Sequence, residues 1–497
     1  GQMTRKIFRS CFLVAVTVLL ASLLLIMGAL YEYFDSQYEE ELRQAERRSR
    51  PGHTVSAAGS LWLLSIFQVL TFMQFLPVCT EDYFPKIVLG FAAVGAAGWA
   101  LYGLYRAMQR TAYELETLVF FLITLGIAVM SAYAPSSLFK QLIAIALGIA
   151  LFLLLGTALR SLRLAQQLRW PVAAAAAALL AFNVLFGQRI FGAKNWISIG
   201  PLSLQPSELV KIAFILAGAA TLDRLFAKRN LIFTVLFSAY CVGCLALMSD
   251  FGTALVFFVA FLCIAFLRTG DLPSIVMMTA AAGFAGGLML HFKPYIADRF
   301  TVWRHAWEFA QSTGYQQTRT MSAVASGGLF GAGPTDTWLK YVGAANTDLV
   351  FGVVSEEFGL LLALCAVAAI ILIAVFAITS AATARSSFYT IASCAAAAML
   401  TVQVTPNTLV SVDLLPLTGV TFPFVSMGGS SMLSCWSLMA FLKAADTRQN
   451  ASFALRLPKR RPKTKHEPHK ATPSNGFFDE IPDIPVDEIF GKEDKPE

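Results

Sequence analysis

Charge is scarce in this chain. Only 14% of its 497 residues are Asp, Glu, Lys or Arg, against roughly 25% in an ordinary soluble domain. That shortage argues against a soluble globular protein, and a hydrophobic content of 57% argues against a disordered one. A disulfide framework is also missing. Cys11, Cys241, Cys244, Cys263, Cys365, Cys394 and Cys435 lie inside apolar runs, and Cys79 stands at the end of one. The Cys241-x-x-Cys244 pair has no second Cys or His pair nearby, so it reads as small packing residues in a helix rather than a redox or zinc site. The formal charge of +7 fits cytoplasmic anchoring residues of a membrane protein, and no nucleic-acid partner is expected.

What the chain has in plenty is long apolar runs, with a mean hydropathy of +0.63. A bilayer span needs about 20 mostly apolar residues. Candidate spans are 11–30, 57–78, 86–105, 117–134, 138–157, 171–187, 205–222, 231–248, 251–267, 273–291, 349–378, 387–405 and 425–443. None alternates as a barrel strand would, so the expected fold is an all-α polytopic membrane protein. Residues 1–116 form an N-terminal hydrophobic extension with about three helices. Its first run, preceded by Arg5, Lys6 and Arg9, reads as a retained anchor rather than a cleaved signal. Residues 117–443 form a ten-helix core, and 444–497 a disordered, Pro- and charge-rich cytoplasmic tail.

Lysine and arginine placement orients the core. With Arg106 and Arg110 inside, the inner loops also hold Arg160, Arg163, Arg169, Arg224, Lys228, Arg229, Arg268 and Arg385, and the basic start of the tail joins them near anionic lipid heads. The outer turns near 135, 249 and 406–424 hold no Lys or Arg. This orientation leaves the N-terminal Arg5, Lys6 and Arg9 outside, against the rule. Two outer segments are long, 188–204 and 293–347. The second carries Tyr295, Phe300, Trp303, Trp307, Tyr315, Trp338 and Tyr341, an aromatic content that predicts an ordered loop. In the tail, FDEIPDIPVDEIF reads equally as a partner-binding motif or a solubilising end.

Ionisable residues inside spans are costly and point to function. In GAKNWISIGPLSLQPSELVKIAF, Pro206 opens a helix, Glu208 complements its dipole, and Lys211 shares the face of Glu208 one turn on. Capping accounts for Glu208 but not for Lys211. In SDFGTALVFF, Asp250 suits an N-cap. In AANTDLVFGVVSEEFG, Asp348, Glu356 and Glu357 enter a helix from outside, with Asp348 and Glu356 two turns apart on one face. In GVTFPFVSMGGSSML, Pro423, Gly428 and Gly429 interrupt an apolar run, as backbone lining a cavity does, and Ser430 follows. With Arg189, Lys194, Arg299, Arg304, Arg319 and Lys340 also outside, these residues predict an outward-facing cavity for an anionic, lipid-linked substrate such as a pyrophosphate, or a transport path.

The stretches GAKNWISIGPLSLQPSELVKIA, SDFGTALV, GYQQTRTMSAVASGGLFGAGP, NTDLVFGVVSEEFGLL and PLTGVTFPFVSMGGSSML, in that order over about 117–443, resemble the SEDS family of shape, elongation, division and sporulation proteins. The resemblance implies a peptidoglycan glycosyltransferase of the bacterial cytoplasmic membrane, polymerising lipid II at the outer face beside a class B penicillin-binding protein. It implies a general base and positive charge on the pyrophosphate, from Arg, Lys or a divalent Mg or Mn ion. The substrate contacts expected from these clusters and outer charges are Arg189, Lys194, Glu208, Lys211, Asp250, Arg299, Lys340, Asp348, Glu356, Glu357 and Ser430, with Arg299 and Lys340 helping to hold the pyrophosphate.

The chain departs from the family in its long loop. Where members carry W-E-D-P-x-G-x-G-Y-Q with a catalytic Asp, this chain reads WEFAQSTGYQ, and Phe309 holds the Asp position. Met427 likewise stands for a family Tyr. Glu308 is then the expected base, walled and desolvated by Phe309, with Asp298 or Asp336 next in line. The competing readings are a scaffold that binds lipid II or a penicillin-binding protein without catalysis, and a lipid II flippase.

Overall fold

The computed structural model describes residues 57–76, 81–190, 193–199, 202–222, 228–292, 294–334, 337–448 and 451–455. The first apolar run, Asp336 and the tail beyond 455 lie outside the described residues. Two helices of the extension are present, α1 (Ala57–Met73) and α2 (Phe84–Ala107). The core follows as α3 (Glu114–Tyr133), α4 (Leu138–Ala158), α5 (Leu162–Phe186), α6 (Pro206–Leu222), α7 (Lys228–Leu247), α8 (Phe251–Thr269) and α9 (Leu272–Phe292). The long loop carries α10 (Pro294–Val302), α11 (Tyr315–Gly327) and α12 (Ala345–Asp348). The chain then forms α13 (Val350–Phe358), α14 (Leu360–Ala382), α15 (Ser387–Val410) and α16 (Gly429–Ala445). Eight helices among the described residues are long and apolar enough to cross a bilayer. This is the expected all-α polytopic membrane protein.

The apolar runs become helices because a helix satisfies its own backbone where lipid offers no partners. Burial sorts them. The apolar windows of α3 and α15 are 78% and 72% buried, whereas those of α4 and α5 are 33% and 22% buried. The centre therefore holds α3, α15 and α16, with α6, α8 and α13 also largely buried, while α4 and α5 leave apolar faces exposed. Nearly all of α16 is buried, and its serines and Cys435 let neighbouring helices approach closely. In its middle, Trp436 is wedged against Phe120, Phe152 and Phe424. The extension packs onto the core: Gln68 of α1 donates to Thr124 Oγ1 of α3 at 3.1 Å.

Two corrections to the sequence reading concern boundaries. The run 349–378 is not one span. It breaks at Gly359, whose φ of 90° is left-handed and open chiefly to glycine. There the chain crosses the loop segment 328–333. Leu360 N donates to Gly328 O at 2.9 Å and Ala332 N donates to Glu356 O at 2.8 Å. A Cβ built on Gly359 would lie 2.3 Å from Leu329 O.

The second correction concerns the tail, expected to be disordered from Ala444. Helix α16 runs through Ala445, and 451–455 folds back into the bundle with Ser452, Phe453 and Ala454 fully buried. Apolar residues ahead of a basic stretch hide better against the helix ends than in water.

The two long segments expected outside are ordered as far as they are described. In the first, 188–204, the chain forms the antiparallel strands β1 (Gln188–Ile190), β2 (Ala193–Ile199) and β3 (Leu202–Leu204) in the order β1-β2-β3, with Gln188 opposite Trp196 and Ile197 opposite Leu204. They lie at the same end of the bundle as the long loop, here called the loop end. The opposite, tail end carries the 451–455 segment.

Candidate functional site

Four elements meet at the loop end around Asp250. The side chain of Asp250 caps α8, its Oδ1 accepting from Thr253 N at 3.1 Å. Its Oδ2 accepts from Asn195 of β2 and, at 3.5 Å, from Gln205 Nε2. Asn195 also donates to Ser207 Oγ at 2.8 Å and accepts from Asn183 Nδ2 at 2.6 Å. Asn183, Asn195, Ser207 and Asp250 are all buried. The expected N-cap is present, and it is one member of a buried polar network.

One turn deeper, Lys211 Nζ pairs with Glu208 Oε1 at 2.8 Å, with side chains 2% and 4% exposed. Neither faces lipid. The second oxygen, Glu208 Oε2, is buried without a hydrogen-bond partner among the described residues, a costly arrangement that a capped helix start does not explain. Ser430 and Ser431 open α16 beside this pair. Ser430 Oγ accepts from Gln205 N at 3.4 Å, and Ser431 Oγ lies 3.1 Å from Thr421 Oγ1. The charge of Lys211 reaches Asp250, and Asp250 in turn acts on Asp348.

Asp348 closes the short helix α12 and is half-buried. Burial pushes its carboxyl up to about 6, against the opposing pull of Thr347 and of the Arg299 charge. Arg299 of α10 donates to Leu417 O at 2.8 Å, which ties the long loop to the segment before α16. Buried Asn407 of α15 binds the same region, donating to Asp348 O at 3.0 Å and Val420 O at 2.9 Å while accepting from Phe351 N at 3.2 Å.

Glu356 and Glu357 do not join this cluster. The two-turn argument fails because Leu349, with φ −123°, separates α12 from α13. Glu356 instead accepts from Trp338 N at 3.1 Å, Leu339 N at 3.3 Å and the Tyr133 hydroxyl at 3.4 Å, so it orders the loop just before exposed Lys340. Glu357 is buried and faces Glu356 and Lys340 electrostatically. Lys194 sits apart too. Its ammonium donates to Val184 O at 2.8 Å and Leu185 O at 3.1 Å, closing the carbonyls that the end of α5 leaves open. Arg189 is exposed on β1.

The wall expected around Glu308 is absent. Glu308 lies on a single 3₁₀ turn, Ala306–Phe309, and is exposed, with Phe309 half-buried beside it. Asp298 is exposed as well. Among the described residues, no group of three or more His, Cys, Asp or Glu side chains is placed to hold a metal ion.

Backbone strain gathers at this end. Six described non-glycine residues have positive φ, and five of them, Ser249, Arg304, Ala344, Asp413 and Phe424, lie in its loops. Such strain persists where surrounding structure fixes it, often at functional sites. Two features escaped the sequence reading. Asp413 lies in the turn 406–424, where the sequence shows no signal beyond the absence of Lys and Arg. At the tail end, Glu116 and Lys443 form a second buried ion pair of 3.1 Å. A lysine late in one apolar helix and a glutamate early in another were the available signals.

The FtsW, RodA and SpoVE family, described as cell cycle proteins, matches residues 108–451. A probable peptidoglycan glycosyltransferase FtsW of Coxiella burnetii is 32% identical over 284 residues, 55% of this chain and 76% of that protein. Its counterpart in Saccharophagus degradans is 28% identical over 375 residues, 69% of this chain and 94% of that protein. A solved structure of a peptidoglycan synthase complex, described as coordinating polymerization and crosslinking, matches with a TM-score of 0.57 and 27% identity, over 68% of this chain and 98% of that one. The rod shape determining protein RodA of Thermus thermophilus matches with a TM-score of 0.51 and 26% identity, over 68% of this chain and 97% of that one. With its helix order, its loop-end cluster and these matches together, the chain belongs to the FtsW, RodA and SpoVE family of polytopic membrane proteins.

Proposed function

We propose that this protein is a peptidoglycan glycosyltransferase that polymerises lipid II at the outer face of the bacterial cytoplasmic membrane, in division, elongation or sporulation, alongside a class B penicillin-binding protein. The single observation carrying this reading is the buried Glu208–Lys211 pair at the loop end, with Asp250, Asn195 and Ser430 gathered around the start of the same helix. The loop end faces outward in this reading and the tail end faces the cytoplasm. Arg110, Arg160, Arg385 and Arg448 all bind groups at the tail end, in keeping with the positive-inside rule.

In the reaction, a sugar hydroxyl of one lipid II attacks the anomeric carbon of the growing chain, and undecaprenyl pyrophosphate leaves. Arg299, Lys211 and exposed Lys340 supply positive charge for the pyrophosphate, with Arg189 at the rim. Lys194 keeps its structural place at the end of α5.

The scaffold reading draws on Phe309 and exposed Glu308. The flippase reading is opposed by the aromatic packing of Trp436, which separates the polar residues at the two ends of α16. Purified protein incubated with lipid II, with and without its penicillin-binding partner, tests the proposal. Glycan polymer on a gel is the expected result; its absence in both conditions overturns it.

A further inference from the structure

The described carboxylates adjoining position 309 are poorly placed for base catalysis. Phe309 has no acid group, and Glu308 next to it is exposed. A different carboxylate reaches the same stretch of loop from another part of the chain. Asp413 stands in the turn after α15. Its Oδ1 accepts from Arg304 N at 3.3 Å, five residues before Phe309, and from Gln317 Nε2 at 2.9 Å, eight residues after it. The arch 304–317 is thus closed over one carboxylate. No described residue donates a hydrogen bond to Oδ2, and the side chain is half-buried.

Backbone geometry adds an independent observation. Asp413 has φ 58°, and Arg304, whose N–H it accepts, has φ 63°. Both hold the left-handed conformation at which glycine carries no strain. A strained pair in mutual contact is over-determined by its surroundings. Those surroundings are firm: Gln317 also donates to Leu415 O at 3.3 Å, and Arg299 donates to Leu417 O at 2.8 Å. Residues 413–417 are therefore laced to α10 and α11, and the carboxylate stands on the same segment that Arg299 holds. The charged groups facing it are Arg304 and His305 of the arch.

We infer that Asp413 is the catalytic base of this chain, replacing across space the acid absent at position 309. The inference rests on the polymerase reading. Oδ2 takes the proton of the attacking sugar hydroxyl while that oxygen bonds to the anomeric carbon. The bond from that carbon to the pyrophosphate oxygen breaks, and its electron pair leaves with undecaprenyl pyrophosphate. The bland alternative is that Asp413 only ties two loops together, since Asp tolerates left-handed turns better than most residues.

Asp413→Asn separates the two, because its amide oxygen still accepts from Arg304 and Gln317 while its basicity is gone. The full chain, purified with its penicillin-binding partner, is assayed with lipid II. The base assignment predicts a turnover loss of about 10²–10⁴-fold with KM and thermal unfolding unchanged, and partial recovery in the double variant Asp413→Asn, Phe309→Asp. A merely structural role predicts wild-type turnover for Asp413→Asn, and that result overturns the assignment while leaving the polymerase reading intact. Wild-type protein that makes no polymer with its partner overturns both. If Asp413→Asn does not fold, Asp413→Gly, which suits the left-handed backbone, is read instead, and retained turnover there overturns the assignment.

Discussion

Lys443 and Glu116 form an ion pair of 3.1 Å at the tail end, with side chains 0% and 1% exposed. The Tyr105 hydroxyl donates to Glu116 at 2.7 Å, and Lys443 donates to Ala112 O at 3.1 Å. The pair joins the start of α3 to the end of α16, far along the bundle from Glu208 and Lys211. Removing one partner leaves a buried charge without its counter-ion, which costs roughly 3–5 kcal/mol. Lys443→Met should therefore lower the unfolding temperature sharply in detergent. The double variant Lys443→Met, Glu116→Gln should recover much of the loss. A single variant as stable as wild type would show that the pair contributes nothing.

Phe453 tests whether the segment after α16 belongs to the fold. Its ring lies 5.1 Å from that of Phe152 and 5.5 Å from that of Tyr105, and Arg160 Nε donates to its carbonyl at 2.9 Å. Phe453→Ala should destabilise the protein by about 3–5 kcal/mol, the usual range for emptying a buried aromatic site. Unchanged stability on denaturant unfolding would mean that 451–455 can leave the bundle freely.

Glu356 should act on the loop rather than directly on the substrate. Glu356→Ala leaves the N–H groups of Trp338 and Leu339 without their acceptor, at about 1–3 kcal/mol for each group left unsatisfied. Faster amide hydrogen exchange over 337–342 is the expected readout. Glu356→Gln keeps an acceptor and should exchange nearly as wild type does. Equal protection in wild type and the alanine variant would contradict this role.

Asp348 sets a pH dependence whose sign is fixed by its raised carboxyl, at about 6 in the folded protein against about 3.9 in an unfolded chain. The folded state holds the proton more tightly. Between these values the native protein binds more protons than the unfolded one, so stability falls as pH rises from about 4 to 6 and is level above. Asp348→Asn should remove that slope. The difference in unfolding temperature between wild type and variant, followed from pH 4 to 7, should favour the variant increasingly up to about pH 6. A constant difference would rule the effect out.

Sequence alone determined the helices, the bilayer class and the family motifs, because a twenty-residue apolar run has one economical way to satisfy its backbone in lipid. It also placed Glu208 and Lys211 on one face, since that contact is local, one helical turn long. It misjudged what depends on distant partners. The run 349–378 is apolar throughout, and only the crossing of 328–333 makes the break at Gly359 necessary. Asp348 and Glu356 would share a face on a continuous helix, but a separate interruption at Leu349 sends one toward Arg299 and the other toward Trp338. Asp413 looked like an ordinary turn residue, because its meeting with Arg304 and Gln317 spans about a hundred residues of sequence. Glu116 and Lys443 are 327 positions apart by their numbers, and their pairing follows from α3 and α16 packing side by side. Local periodicity fixes the elements; which charges they bring together is decided only when the helices pack.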